Sequence, residues 1–267
     1  AKLGAAVEMF GCVGDDSNGE KMLENLKAVG VGTEHIPILK GVPTGIAMIT
    51  VGDNDNTIIV VPGANGKVDR AYIDSIKSEL EKFDMVVLQH EIPLETVHYV
   101  IEFCYEKGIK IVLNPAPAAA VPMEIIDKVT YVTPNEHEAV LIFGDELSTE
   151  DLLRKYPEKL VITQGSRGVS TCLKDGQILN VPARKAQVVD TTGAGDTLNG
   201  AFSVQIAEGK AIEDALAYAN VAASLSTEKF GAQTGMPTAE EVETALKILN
   251  GESVEKEIPV EMELITK

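Results

Sequence analysis

Eight consecutive residues can do chemistry together: Asp190-Thr191-Thr192-Gly193-Ala194-Gly195-Asp196-Thr197. The β-branched pair Val188-Val189 before them reads as a strand, and residues 198–208 after them read as a helix. Gly193, Ala194 and Gly195 let the backbone turn sharply and bring its N–H groups close to a ligand. At a helix start those N–H groups lack partners, and the helix dipole favours an anion there. Asp196 stands directly behind them. A carboxylate would repel a phosphate that was merely held. It makes sense as a base that takes a proton from a hydroxyl, which then attacks phosphorus. The plain alternative is a glycine turn followed by an N-capping Asp.

The longer string DTTGAGDTLNGAF, residues 190–202, resembles the C-terminal signature of the ribokinase family of carbohydrate kinases. The resemblance implies that Asp196 is the catalytic base. It also implies that Gly193, Ala194 and Gly195, with the Asp196 amide, form the anion hole for the transferred phosphoryl group. ATP would be the donor. The acceptor would be a sugar held by Asp196 and by Glu91, which lies in a similar Leu-Gln-His-Glu-Ile-Pro context at residues 88–93. Asn114-Pro115-Ala116-Pro117-Ala118 narrows the resemblance to members acting on ribose, and no catalytic role is assigned to it. Deoxyribose, fructose or a nucleoside, and a non-catalytic sugar or nucleotide binder, are the alternatives.

Further motifs follow in family order. Residues 163–168, Thr-Gln-Gly-Ser-Arg-Gly, read as a tight turn after a strand and resemble the family's nucleotide loop. That resemblance puts Thr163, Gly165, Ser166 and Gly168 along ATP, with Arg167 against a phosphate and Asn220 beside the adenine. In Thr133-Pro134-Asn135-Glu136-His137-Glu138, the spacing predicts Thr133 as N-cap, Pro134 at the first helical position and Glu136 closing a capping box. Asn135 and Glu138 then share a helical face without taking part in the cap. By resemblance they bind nucleotide and hold Mg²⁺ through water. Zinc at His137 is excluded, because no second His or Cys lies at ligand spacing. The resemblance also implies a K⁺ ion surrounded by Asp190, Thr192, Lys229, Ala232 and Thr234, partly through backbone carbonyls.

Positioning these residues requires regular elements. Residues 7–11 read as a strand and 18–29 as a helix. Gly14 and Gly19 form no phosphate loop, because Lys21 is out of place and Asp15 and Asp16 are acidic. Residues 44–51 and 57–61 flank the turn Gly52-Asp53-Asn54-Asp55-Asn56, so a hairpin is predicted. Beyond residue 68 helices alternate with apolar strands: helices at 69–82, 94–107, 123–127 and 135–143, and strands at 85–88, 109–113, 131–132 and 159–163. A hairpin at 169–173 and 177–181 follows, then helices at 211–226 and 238–249. Apolar strands between helices imply a parallel sheet covered on both faces, with ligands beyond the strands' carboxyl ends. The expected fold is an α/β three-layer α/β/α sandwich with a mostly parallel central sheet. Residues 1–41 and 62–267 would form its core, and 42–61, by resemblance, part of a small β lid over the sugar.

Composition supports this reading and excludes others. The 267 residues carry 41 Asp and Glu against 23 Lys and Arg, a net charge of −18, which argues against nucleic acid and against an anionic membrane. No apolar run reaches membrane-spanning length. Three widely spaced cysteines form no paired framework, so a cytoplasmic protein is expected. A homodimer through the lid is the partner that the resemblance implies. The chain starts at Ala1-Lys2-Leu3-Gly4, where the family has just passed a glycine-rich loop. The expectation is that the family's first strand, a sugar-contacting Asp and half of the lid lie upstream. The acidic tail from Glu252 reads as surface.

Overall fold

The computed structural model describes residues 1–52 and 55–252. The turn residues Asp53 and Asn54, the tail beyond Glu252 and the side chains of residues 49–58 lie outside the described residues. The chain opens with two short parallel ladders. β1 (Val7–Glu8) pairs with β3 (Val31–Gly32), and β2 (Val13–Gly14) pairs with β4 (Ile38–Leu39). Between them runs α1 (Ser17–Ala28), capped by Asp16, whose carboxylate accepts from the Gly19 amide. The same carboxylate accepts from the Thr44 amide and hydroxyl, which holds it down to a pKa of about 2. The predicted hairpin forms as β5 (Ile46–Gly52) and β6 (Asp55–Val61), antiparallel, pairing with each other.

The main sheet begins after α2 (Arg70–Leu80). β7 (Met85–Leu88), β8 (Lys110–Leu113) and β9 (Tyr131–Val132) are parallel, with α3 (Leu94–Lys107) and α4 (Met123–Ile126) as crossovers. A parallel bridge from Val132 to Leu160 carries the sheet past α5 (Glu136–Phe143) and α6 (Thr149–Lys155) to β10 (Val161–Thr163). β11 (Val169–Cys172) and β12 (Ile178–Val181) then complete it antiparallel. Helices α7 (Ala194–Ala207), α8 (Ile212–Ser226), the short α9 (Ala232–Gly235) and α10 (Ala239–Leu249) close the chain.

Successive side chains of a strand point to opposite faces, and this divides the core in two. Leu160 and Ile162 pack with Val97, Ile101 and Ile126 on the α3 side. Val161 packs with Phe202, Leu216 and Ala219 of α7 and α8 on the other. Met85 and Tyr131 face the second cluster, and their neighbours Val86 and Val132 face the first. The chain therefore forms the expected three-layer α/β/α sandwich. Val87, in a strand expected to be buried throughout, is 37% exposed, because β7 pairs on one side only among the described residues.

The β10–β11 turn is fixed by a close approach. Gly168 has φ +98°, and a Cβ there would lie 2.0 Å from the Val181 carbonyl oxygen on β12. We expect Gly168→Ala to lower stability by about 1–3 kcal/mol or more, read as a drop in urea midpoint at unchanged m-value. An unchanged midpoint would show that this turn relaxes freely.

Candidate functional site

The carboxyl ends of β7, β8, β9 and β10 lead into residues 89–93, 114–118, 133–135 and 164–168, so the strand-following segments meet at one edge of the sheet. Helix α7 packs across β7 and begins at the same edge. Gly193 is its N-cap at φ +80°. A Cβ on Gly193 would lie 3.2 Å from atoms of Ala232, and the positive φ strains any other residue there, so glycine suits this close contact. The Thr197 amide and hydroxyl both reach the Gly193 carbonyl at 2.8 Å. The Ala194 amide donates to Thr191 O at 3.2 Å. Among the described residues, the Gly195 and Asp196 amides have no partner. Of the donors expected for the anion hole, the Gly193 amide also has no partner among the described residues, and Ala194 is engaged. Asp196 is the third residue of the helix and not its cap.

The strand expected at Val188-Val189 does not form. Both side chains are about 60% exposed, and the Val189 and Asp190 amides donate to Thr227 O at the end of α8. Two β-branched residues are too few to specify a ladder against a helix end that already offers an acceptor. Asp190 pins this segment. Its Oδ1 accepts from the Thr192 amide and its Oδ2 from the Gly231 amide, each at 2.9 Å. These donors hold its pKa below the ordinary value. Asp190, Thr192, Ala232 and Thr234 are thus brought to one corner, where the Thr234 hydroxyl donates to Phe230 O. The Lys229 ammonium turns away to Glu241 at 2.8 Å.

Glu91 is carried by a loop that is tied down on both backbone and side chain. The His90 amide donates to Ala116 O at 2.9 Å, and its ring Nδ1 meets Pro117 O at 3.2 Å. Since a carbonyl only accepts, Nδ1 carries the proton. Burial pushes His90 below its ordinary pKa and keeps it neutral. Asp196 and Glu91 are exposed residues, yet the protein around each carboxylate withdraws enough solvent to raise both pKa values. The negative charge of Asp196 adds to the rise at Glu91, so the two groups share one field.

The helix after β9 starts two residues later than expected. Asn135 is its N-cap: Asn135 Oδ1 accepts from the Glu138 amide at 2.9 Å, and Glu138 Oε2 accepts from the Asn135 amide at 2.8 Å. Thr133, expected as the cap, is fully buried. Its amide donates to Leu113 O and its hydroxyl to Asn199 Oδ1. The chain at Thr133 is still hydrogen-bonded to the sheet, which forbids a helix start there. Glu138 is 7% exposed, and burial raises its pKa. No ion pair to it exists among the described residues. A buried carboxylate without a cation suits a nearby divalent ion. Among the described residues no cluster of three or more His, Cys, Asp or Glu is placed to hold a metal ion.

Thr163 lies beside Asn135 in a parallel bridge, its amide donating to Pro134 O at 2.9 Å. Gly165 and Ser166 are exposed beside it, while Gly168 is buried. Arg167 pairs with Glu136 and is held at the start of α5. Asn220 is 5% exposed, and its Nδ2 donates to Val181 O and Pro182 O. It therefore fixes the chain leaving β12. Sequence reasoning missed Asn199 and Asn114. Asn114 Nδ2 donates to Thr133 O at 3.1 Å and Asn199 Nδ2 to Gly195 O at 2.9 Å. The signal available for Asn199 was its four-residue spacing from Gly195 inside a helix.

A glycine N-cap, free amides and a carboxylate in one helical turn are matched by sequence as well. The profile of the pfkB family carbohydrate kinases matches residues 1–239. The chain belongs to this family. As a pfkB carbohydrate kinase it is a phosphotransferase acting on an alcohol group. It is 50% identical to the ribokinase of Bacillus subtilis (strain 168) over 246 residues, which cover 92% of this chain and 83% of that protein. It is 46% identical to the ribokinase of Lactococcus lactis subsp. lactis (strain IL1403), covering 91% and 80%. The solved structure of Arabidopsis thaliana ribokinase complexed with ribose and ATP is 30% identical, with a TM-score of 0.84 over 92% of this chain and 83% of that one.

The raised pKa of Asp196 carries a stability prediction. A carboxyl with a raised folded-state pKa penalises the folded state in full above that pKa, and the penalty fades as pH falls from there to the ordinary value of 3.8, below which it is gone. We expect Asp196→Asn to melt higher than the wild type at pH 7, with the gain shrinking on acidification. A gain that is independent of pH, or absent, would contradict the desolvation.

Proposed function

We propose that this kinase transfers the γ-phosphoryl group of ATP to the primary hydroxyl of D-ribose, giving D-ribose 5-phosphate and ADP. The observation that carries the reading is Asp196, a desolvated carboxylate in the same helical turn as two free amides. Its raised pKa makes it a better proton acceptor than an ordinary Asp. Asp196 takes the hydroxyl proton, the oxygen bonds to phosphorus, and the bond from the γ-phosphorus to the bridging oxygen breaks. The Gly195 and Asp196 amides receive the charge on the transferring group, so catalysis is mainly positioning and electrostatics. Glu91, held across the site by His90, accepts a hydrogen bond from the sugar.

Thr163, Gly165, Ser166, Gly168 and Asn135 line the nucleotide in this reading, with Asn220 supporting the adenine side. Mg²⁺ would be held through water by Glu138 and Asn135 and would neutralise phosphate charge. K⁺ would sit at the Asp190 corner with carbonyls of Thr192, Lys229 and Ala232 and with Thr234. The hairpin β5–β6 acts as a lid. Its cross-strand pairs Ile46–Val61 and Met48–Ile59 put four exposed apolar side chains on one face, which supports covering the sugar and pairing with a second copy. A cytoplasmic location fits three free, buried cysteines.

A coupled assay over ribose, deoxyribose, fructose and nucleosides tests the substrate, with ribose expected to give the highest kcat/KM. Asp196→Asn should keep nucleotide binding by calorimetry and lose about 10²–10⁴-fold in kcat. A near-wild-type kcat would remove Asp196 from the reaction. Rates should rise with K⁺ more than with Na⁺ or Li⁺. Equal rates after exchange into a bulky organic cation would refute an ion at Asp190.

A further inference from the structure

We propose that Asn199 is a positioning residue for the anion hole, set by the hydroxyl of Thr133. The inference rests on the phosphoryl-transfer reading above. Asn199 is 2% exposed, between α7 and the end of β9. Its Nδ2 donates to the Gly195 carbonyl at 2.9 Å, and its Oδ1 accepts from Thr133 Oγ1 at 2.6 Å. The Gly195 carbonyl and the Asp196 amide belong to one planar peptide group. The Asp196 amide is one of the free donors of the site. Gripping the carbonyl end therefore fixes the direction of the N–H end. A second donor on a carbonyl that already receives a helical N–H also polarises the peptide and strengthens its N–H as a donor.

The orientation of the amide is forced. A backbone carbonyl only accepts, so Nδ2 must face Gly195 and Oδ1 must face Thr133. Thr133 Oγ1 must then donate to Oδ1. Its longer 3.3 Å contact to Leu113 O is left without the proton, and that carbonyl already receives the Thr133 amide. The Thr133 carbonyl in turn accepts from Asn114 Nδ2 at 3.1 Å. A continuous chain of hydrogen bonds thus runs from the exits of β8 and β9 to the peptide that faces the phosphoryl group. Packing alone does not ask for it. A leucine would fill a dry helix–sheet contact of this size without a polar group to satisfy.

The test uses the complete protein with Thr133→Val, Thr133→Ser, Asn199→Leu and the Val/Leu double variant. The readouts are kcat, KM for ribose and for ATP, and the urea midpoint. Asn199→Leu should lose about 10–100-fold in kcat, with both KM values within about threefold. Thr133→Val should lose about 3–10-fold, and Thr133→Ser, which keeps the hydroxyl, should stay within about twofold of wild type. In the Asn199→Leu background, Thr133→Val should cost no further kcat, because the hydroxyl then has no amide to orient. A folded Asn199→Leu with wild-type kcat overturns the proposal. So does Thr133→Ser damaging kcat as much as Thr133→Val, or full additivity in the double variant. If Asn199→Leu does not fold, the Val and Ser variants of Thr133 decide the matter alone. A wild-type protein that turns over no sugar refutes the phosphoryl-transfer reading, and this proposal falls with it. Turnover in the wild type with unchanged kcat in the variants refutes only the proposal.

Discussion

The first turn of α7 holds two demands that oppose each other. Its free amides and its dipole favour an anion, and the Asp196 carboxylate in the same turn repels one. Solvent withdrawal around Asp196 moderates the conflict by raising its pKa, so the carboxylate gains from taking up a proton. In the proposed reaction the substrate proton moves in the same direction. A proton arriving on Asp196 would then lower the repulsion toward the transferring group while the amides' attraction remained. Glu91 deepens the field, since its charge and that of Asp196 oppose each other across the site.

A helix start is the part of a helix with fewest internal hydrogen bonds, so it needs outside support to hold geometry. The chain supplies it from three sides. Asp190 clamps the approach by bonding the Thr192 and Gly231 amides. Gly193, at positive φ, lets Ala232 approach so closely that a Cβ there would crowd it. Asn199 ties the Gly195 carbonyl to the sheet through Thr133. Together they leave the Gly193, Gly195 and Asp196 amides as the free groups among the described residues.

Much of this was legible in the sequence because the determinants are local. Alternating apolar strands and amphipathic helices gave the layered order, and the strand exits carry the residues singled out by type. The misreadings share one cause. Residues 133–138 fit two capping boxes, Thr133 with Glu136 and Asn135 with Glu138, and sequence alone cannot rank them. The sheet decides, because Thr133 is still bonded to Leu113 when the first box would have to begin. Val188-Val189 has strand propensity but no neighbouring strand to meet, and Thr227 takes its amides instead. Asn199 stood in the quoted signature without a role, since its partner Thr133 lies 66 residues away.

The capping register also limits what Asn135 and Glu138 can offer a cation. Asn135 Oδ1 and Glu138 Oε2 each accept a backbone N–H within the box. Asn135 Oδ1 keeps a second lone pair and its amide nitrogen keeps two N–H donors, so the side chain can still both accept from and donate to water. Glu138 keeps one oxygen, Oε1, outside the box. The box, whose loss would cost about 0.5–2 kcal/mol, can therefore stay closed while these remaining sites face water. In the proposed function a Mg²⁺ that keeps its waters would meet Glu138 Oε1 and the Asn135 side chain through those waters. The same two residues can therefore hold the helix start and order the water shell, and neither task interrupts the other.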